Sequence, residues 1–62
     1  MNVGKKIKEE RLKLGLTQKE VAERSGISTS YICDIEVGRT NPSLKTLEKI
    51  SRALEIDIKG LL

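Results

Sequence analysis

The sequence predicts an all-α, compact domain of five short helices, two of which form a helix-turn-helix over residues 17–36. Three observations carry that expectation. Residues 17–36, TQKEVAERSGISTSYICDIE, hold two helix start signals and a turn glycine at fixed offsets. Leu44, Leu47, Ile50 and Leu54 recur at the spacing of one helix face. Gly15, Gly38 and Pro42 stand between the apolar runs, where helices stop.

The first helix is expected from Val3 to Leu14, with Asn2 as its cap. Val3, Ile7 and Leu14 are its apolar positions, with Leu12 beside them. Gly15 ends it, and Leu16 tucks in before the next cap. The second helix opens on a capping box. The Thr17 hydroxyl caps the helix, and Glu20 reaches back to the free backbone N–H of Thr17. Val21 and Ala22 begin its apolar face. Ala22 is small enough for a steep helix crossing, and Gly26 can take the positive φ that the tight turn needs. Ile27 anchors the turn, and Ser28 caps the third helix. Ile32 and Ile35 face back to the second helix, and the third ends near Val37 with Gly38 as its stop. Residues 39–42 form a loop, because Pro42 disfavours helix at Asn41 and lacks an N–H. Ser43 caps the fourth helix, whose stripe is Leu44, Leu47, Ile50 and Leu54. A short fifth helix is expected from Asp57, carrying Ile58, Leu61 and Leu62.

Composition limits the function. Sixty-two residues make one domain. A chain this short buries only about 60% of its unfolded surface, so packing must be good. It has no Trp, no Phe and one Tyr, so the core must be aliphatic. One Cys allows no internal disulfide, which fits a reducing cytoplasm. No run approaches the roughly 18 apolar residues of a membrane span, and the charged start MNVGKKIKEERLK lacks the apolar run of a signal peptide. The chain stops at Leu61 and Leu62 inside an apolar stretch, as a cut domain or a partner-packed terminus would. Without His, and with a single Cys, the usual zinc sites and His-based triads are excluded. No enzyme activity, cofactor, metal or membrane partner is expected.

Net charge is +3, which permits nucleic-acid binding. Its distribution says more. Residues 1–16 carry five Lys and Arg against two Glu, whereas residues 28–42 carry only Arg39 against Asp34 and Glu36. The third helix is therefore not basic itself. Binding there must rest on hydrogen bonds and helix-end dipoles, with nearby cations supplying long-range attraction.

At this point the motifs resemble those of a known family. The run from Thr17 to Leu54 closely resembles the DNA-binding domain of phage repressor, Cro and Xre-like regulators. The resemblance spans residues 3–61. Its carriers are Arg11, the Thr17-Gln18 opening, Ala22, Gly26, the Ile32-x-x-Ile35-Glu36 run, Gly38, Pro42-Ser43 and the Leu-rich fourth helix. It implies a compact five-helix lambda-repressor-like domain that binds double-stranded DNA, usually as a twofold dimer on a palindromic operator. Two positions depart from the pattern. Ser25 stands where the family is usually apolar and is expected to loosen the crossing slightly. Cys33 is uncommon in the third helix. It is read as a structural residue, since Asp34 and Glu36 oppose a reactive thiolate.

The resemblance assigns roles. In this geometry the third helix enters the major groove with its N-terminal residues at base edges. Thr29, Ser30 and Asp34 are then the base-reading candidates, against a plain capping or solvated role. Asp34 can accept from a cytosine amino group, and the Thr29 methyl can pack on a thymine methyl. Phosphate contacts fall to Gln18, Tyr31 and the Arg39, Thr40 and Asn41 loop. Gln18 opens the second helix, where free N–H groups and the dipole favour an anion, and its amide can also buttress the third helix. Partial packing is the alternative for Tyr31. Arg11 and Glu36 are expected to pair structurally, fixing the third helix against the first.

Ile56, Ile58, Leu61 and Leu62 exceed what so small a core needs. They are expected to form a homodimer surface, or else to close the bottom of the core. The function expected is a sequence-specific DNA-binding transcriptional regulator, a repressor or autoregulator. A protein-interaction module of the same fold, of antitoxin or co-regulator type, is the alternative, because residues 28–42 tilt acidic. An RNA-binding domain would want more exposed aromatics than Tyr31.

Overall fold

The computed structural model describes residues 3–62. It contains α1 (Val3–Lys13), α2 (Gln18–Ser25), α3 (Thr29–Glu36) and α4 (Leu44–Ala53), then a three-residue 3-10 turn at Ile58–Gly60. The expected cap Asn2 lies outside the described residues. The expected fifth helix is only that turn. Its hydrogen bonds run from Gly60 N–H to Asp57 O and from Leu61 N–H to Ile58 O, the i to i+3 pattern. Among the described residues the architecture is therefore four α-helices and a turn.

Side-chain caps set the helix starts as the sequence predicts. Thr17 Oγ1 accepts from Glu20 N–H at 3.0 Å, and Glu20 Oε1 accepts from Thr17 N–H at 2.9 Å. Ser28 Oγ accepts from Tyr31 N–H at 3.1 Å, and Ser43 Oγ from Thr46 N–H at 3.2 Å. Gly26 closes α2 in the left-handed region at φ 71°, and its N–H donates to Ala22 O. Gly38, at φ 83°, closes α3. Its N–H donates to Ile35 O and that of Arg39 to Asp34 O, so both carbonyls are satisfied.

The core is aliphatic. Ile7, Leu16, Val21, Ala22, Ile32, Ile35, Leu47, Ile50, Ala53, Leu54 and Leu61 form one buried cluster. Three leucines depart from expectation. Leu12 is 57% exposed and Leu14 is also exposed, because the buried face of α1 is Gly4, Ile7 and Arg11. Left-handed Gly15 then turns the chain so that Leu16, not Leu14, enters the core. Leu44 is 61% exposed. It lies on the α4 stripe but in the first turn, one turn before the first buried leucine, Leu47. Ser25 is buried without an unmet polar group. Its hydroxyl donates to Val21 O at 2.7 Å, so the small polar residue fits the α2–α3 turn.

No helix among the described residues is long and apolar enough to cross a membrane. Among them, no cluster of three or more His, Cys, Asp or Glu could hold a metal ion.

Candidate nucleic-acid interface

The α3 helix is set by both ends. Ser28 caps its start, and Ile32 and Ile35 are buried against the core. That leaves Thr29 and Ser30 exposed in the first turn. Asp34, one turn on, is half-buried. Tyr31 is half-buried and its ring packs against the core, so packing is part of its role. Cys33 is free and half-buried.

At its C-terminal end α3 is tied to the rest of the domain by a buried polar cluster. Arg11 Nε donates to Glu36 Oε2 at 2.8 Å, and Arg11 Nη2 donates to Glu36 Oε1 at 3.0 Å. Two parallel bonds fix both distance and angle between α1 and α3. Arg11 Nη1 donates to the Leu16 carbonyl at 2.8 Å, which extends the tie to the α1–α2 turn. Gln18 Nε2 donates to Glu36 Oε1 at 3.0 Å, which extends it to the start of α2. No buried side-chain nitrogen or oxygen among the described residues lacks a partner. Burying this pair is tolerable because both carboxylate oxygens of Glu36 accept hydrogen bonds.

The predicted loop follows directly. Arg39 and Asn41 are exposed and Thr40 is half-buried. Arg39 Nη1 lies 3.4 Å from Asp34 Oδ1, so the one cation of residues 28–42 stands beside an acid on the same face. Thr40, Asn41 and Pro42 line an open hollow of about 410 Å³ with Gly38, Ile35, Val3 and Gly4. Nothing local in the sequence brings Val3 and Gly4 to this loop. A glycine inside a predicted helix was the available signal, since it marks a close backbone approach or a penalty.

Charge along α1 is partly compensated. Lys6 and Lys13 lie 3.4 and 3.3 Å from Glu10. The Lys13 hydrogen bond is the main influence holding the Glu10 carboxyl below its ordinary range.

The structure separates the four expected dimer-surface residues. Leu61 is 1% exposed and belongs to the core, so it offers almost no surface to a partner. Ile56 and Ile58 are half-buried against that core, while Leu62 is 53% exposed. Closing the core accounts for Leu61 and much of the two isoleucines.

Residues 7–61 match the family model described as helix-turn-helix. The chain is 46% identical over 61 residues to the immunity repressor protein of Bacillus phage phi105, covering 98% of this chain and 42% of that protein. It is 39% identical over 61 residues to the HTH-type transcriptional regulator SinR of Bacillus subtilis (strain 168), covering 97% of this chain and 55% of SinR. It thus spans about half the length of these relatives. The fold superimposes on the restriction-modification controller protein C.AhdI of Aeromonas hydrophila with a TM-score of 0.96 and 34% identity, over 98% of this chain and 92% of that one. It superimposes on SinR in complex with DNA with a TM-score of 0.90 and 38% identity, over 95% of each chain. A family match over most of the chain, joined to a capped helix-turn-helix, makes this chain a member of the helix-turn-helix family of phage repressor, Cro and Xre-like proteins.

Proposed function

We propose that this chain is a sequence-specific duplex-DNA-binding transcriptional regulator of the cytoplasm, a repressor or autoregulator, that reads the major groove with α3. The observation that carries this is the presentation of α3. Its first turn is exposed, small and polar, while its far end is locked to α1 and α2 through Glu36. A reading helix needs that combination: free side chains at the groove and a rigid mount behind them.

In this reading Thr29, Ser30 and Asp34 meet base edges. Gln18, Tyr31, Arg39, Thr40 and Asn41 meet the phosphate backbone, which sets register without reading sequence. The domain measures 23 × 23 × 19 Å. One copy is too small to place helices in two major-groove segments about 34 Å apart, and a twofold pair spans them. We read the DNA-bound form as a homodimer on a palindromic operator, which the small size of one copy supports. With few strong base contacts, specificity leans on half-site spacing and DNA shape.

The interaction-module alternative is the less favoured reading. The similar proteins named above are repressors and regulators, one of them solved on DNA. Selection of duplexes from a random pool tests the proposal, and a twofold-symmetric motif is the expected result. Affinity should fall steeply with salt, in proportion to the phosphates engaged. Failure to retard any duplex at micromolar protein and low salt would refute it.

A further inference from the structure

We infer that Glu36 is a positioning residue for the phosphate contact of Gln18, beyond its part in holding the fold. The inference rests on the DNA-binding reading above. A glutamine amide has two chemically opposite ends: Nε2 carries two N–H donors, and Oε1 only accepts. A phosphate oxygen on duplex DNA only accepts as well. An amide free to rotate would face the phosphate with its oxygen part of the time.

Here the rotation is decided. The Gln18 amide meets Glu36 Oε1 at 3.0 Å, and a carboxylate that pairs with arginine can only accept. The end of Gln18 that faces Glu36 is therefore Nε2. One N–H is used there and the second remains for an anion at the start of α2. The two N–H directions of an amide diverge by about 120°, so one nitrogen can serve carboxylate and phosphate together. That would set two anions side by side unless one is neutralised. Arg11 does this through two hydrogen bonds to the same carboxylate, at 2.8 and 3.0 Å. Arg11 neutralises Glu36, Glu36 orients Gln18, and Gln18 presents one N–H. Each of Arg11 and Glu36 acts on DNA through another residue.

Two measurements test this. The first is a double-mutant cycle of Gln18→Ala and Glu36→Gln, read as affinity for a selected duplex. Gln18→Ala should weaken binding roughly tenfold, the scale of a hydrogen bond to a charged group. Glu36→Gln should then weaken binding at least about threefold less in the Gln18→Ala background than in the wild type, the lower range of coupling between contacting residues. Equal losses in both backgrounds overturn the inference, because a purely structural Glu36 acts alike with or without Gln18.

The second uses the wild-type protein, so it stands even if Glu36→Gln fails to fold. The two Gln18 side-chain N–H signals are followed by NMR as duplex is added. One should hold its position and the other should shift. If the Thr29 and Ser30 backbone amides shift but the two Gln18 signals move together or not at all, this inference fails alone. If no amide of α3 responds, the DNA-binding reading fails and takes this inference with it.

Discussion

Gly4 of α1 lies against the backbone carbonyl of Ile35 in α3, with no room for a β-carbon between them. The obstacle is main chain and cannot swing aside. This contact sets how closely the two helices approach, and it sits two turns from the Arg11–Glu36 pair on the same interface. Gly4→Ala should therefore destabilise the domain by about 1–3 kcal/mol, the usual range for overpacking. That is expected despite the better helix propensity of alanine, worth about 1 kcal/mol. Urea unfolding measures it. Equal or greater stability would mean that α1 slides freely over α3.

The buried ion pair should behave asymmetrically. Arg11→Ala leaves the Glu36 carboxylate stranded and is expected to cost about 3–5 kcal/mol. Replacing both partners together, as Arg11→Met with Glu36→Leu, should be much milder, since no buried charge then lacks its partner. Chemical denaturation of the three variants decides it. A loss below about 1 kcal/mol for Arg11→Ala would show that the pair acts as an exposed one.

The last two residues should separate cleanly. Leu61→Ala removes a fully buried side chain and should cost about 2–5 kcal/mol. Leu62→Ala should change stability by no more than about 0.5 kcal/mol. If two copies pair through this face, Leu62→Asp should shift the sedimentation profile towards monomer while leaving the melting temperature nearly unchanged. Two leucines with equal effects on unfolding would contradict the burial found here.

Glu20 gives the capping box a pH dependence of known sign. The Thr17 backbone N–H, and next the Thr17 side chain, hold the Glu20 carboxyl below its ordinary range. A folded-state pKa that is depressed stabilises the fold above the unfolded value and loses that contribution as pH falls through the folded one. Stability should therefore decline on acidification through and below the ordinary glutamate range. Glu20→Gln should flatten part of that decline in acid-titrated thermal melts. An unaltered acid limb would remove Glu20 from the account.

Local signals in the chain settled the starts and stops of α2 and α3 and the start of α4. Thr17 with Glu20, Ser28, Gly26 and Gly38 act across three to five residues, and each is visible in order along the sequence. The apolar spacing likewise marked Ile7, Val21, Ile32, Ile35, Ile50 and Leu54 for the core, and the family pattern marked Arg11 and Glu36 for each other. Tertiary structure decided the rest, because it depends on what arrives from elsewhere in the chain. Leu14 and Leu16 are near neighbours of equal hydrophobicity, and only the turn at Gly15 chose Leu16 for the interior. Leu44 fits its helix stripe but is left exposed in the first turn. Gly4 reads as a weak helix residue until Ile35, thirty-one positions away, is set against it. Leu61 reads either as a partner surface or as a residue that closes the core, and packing makes it core. The chain bends before the last turn at Glu55, which holds φ 57° without the glycine that would have announced it. Gln18 and Glu36 are eighteen residues apart; the sequence offers the Gln18 amide as a buttress of the third helix, and only packing makes Glu36 its partner. Hydrogen bonds along a helix act over one turn, whereas burial and charge pairing act between surfaces that exist only once the helices have packed.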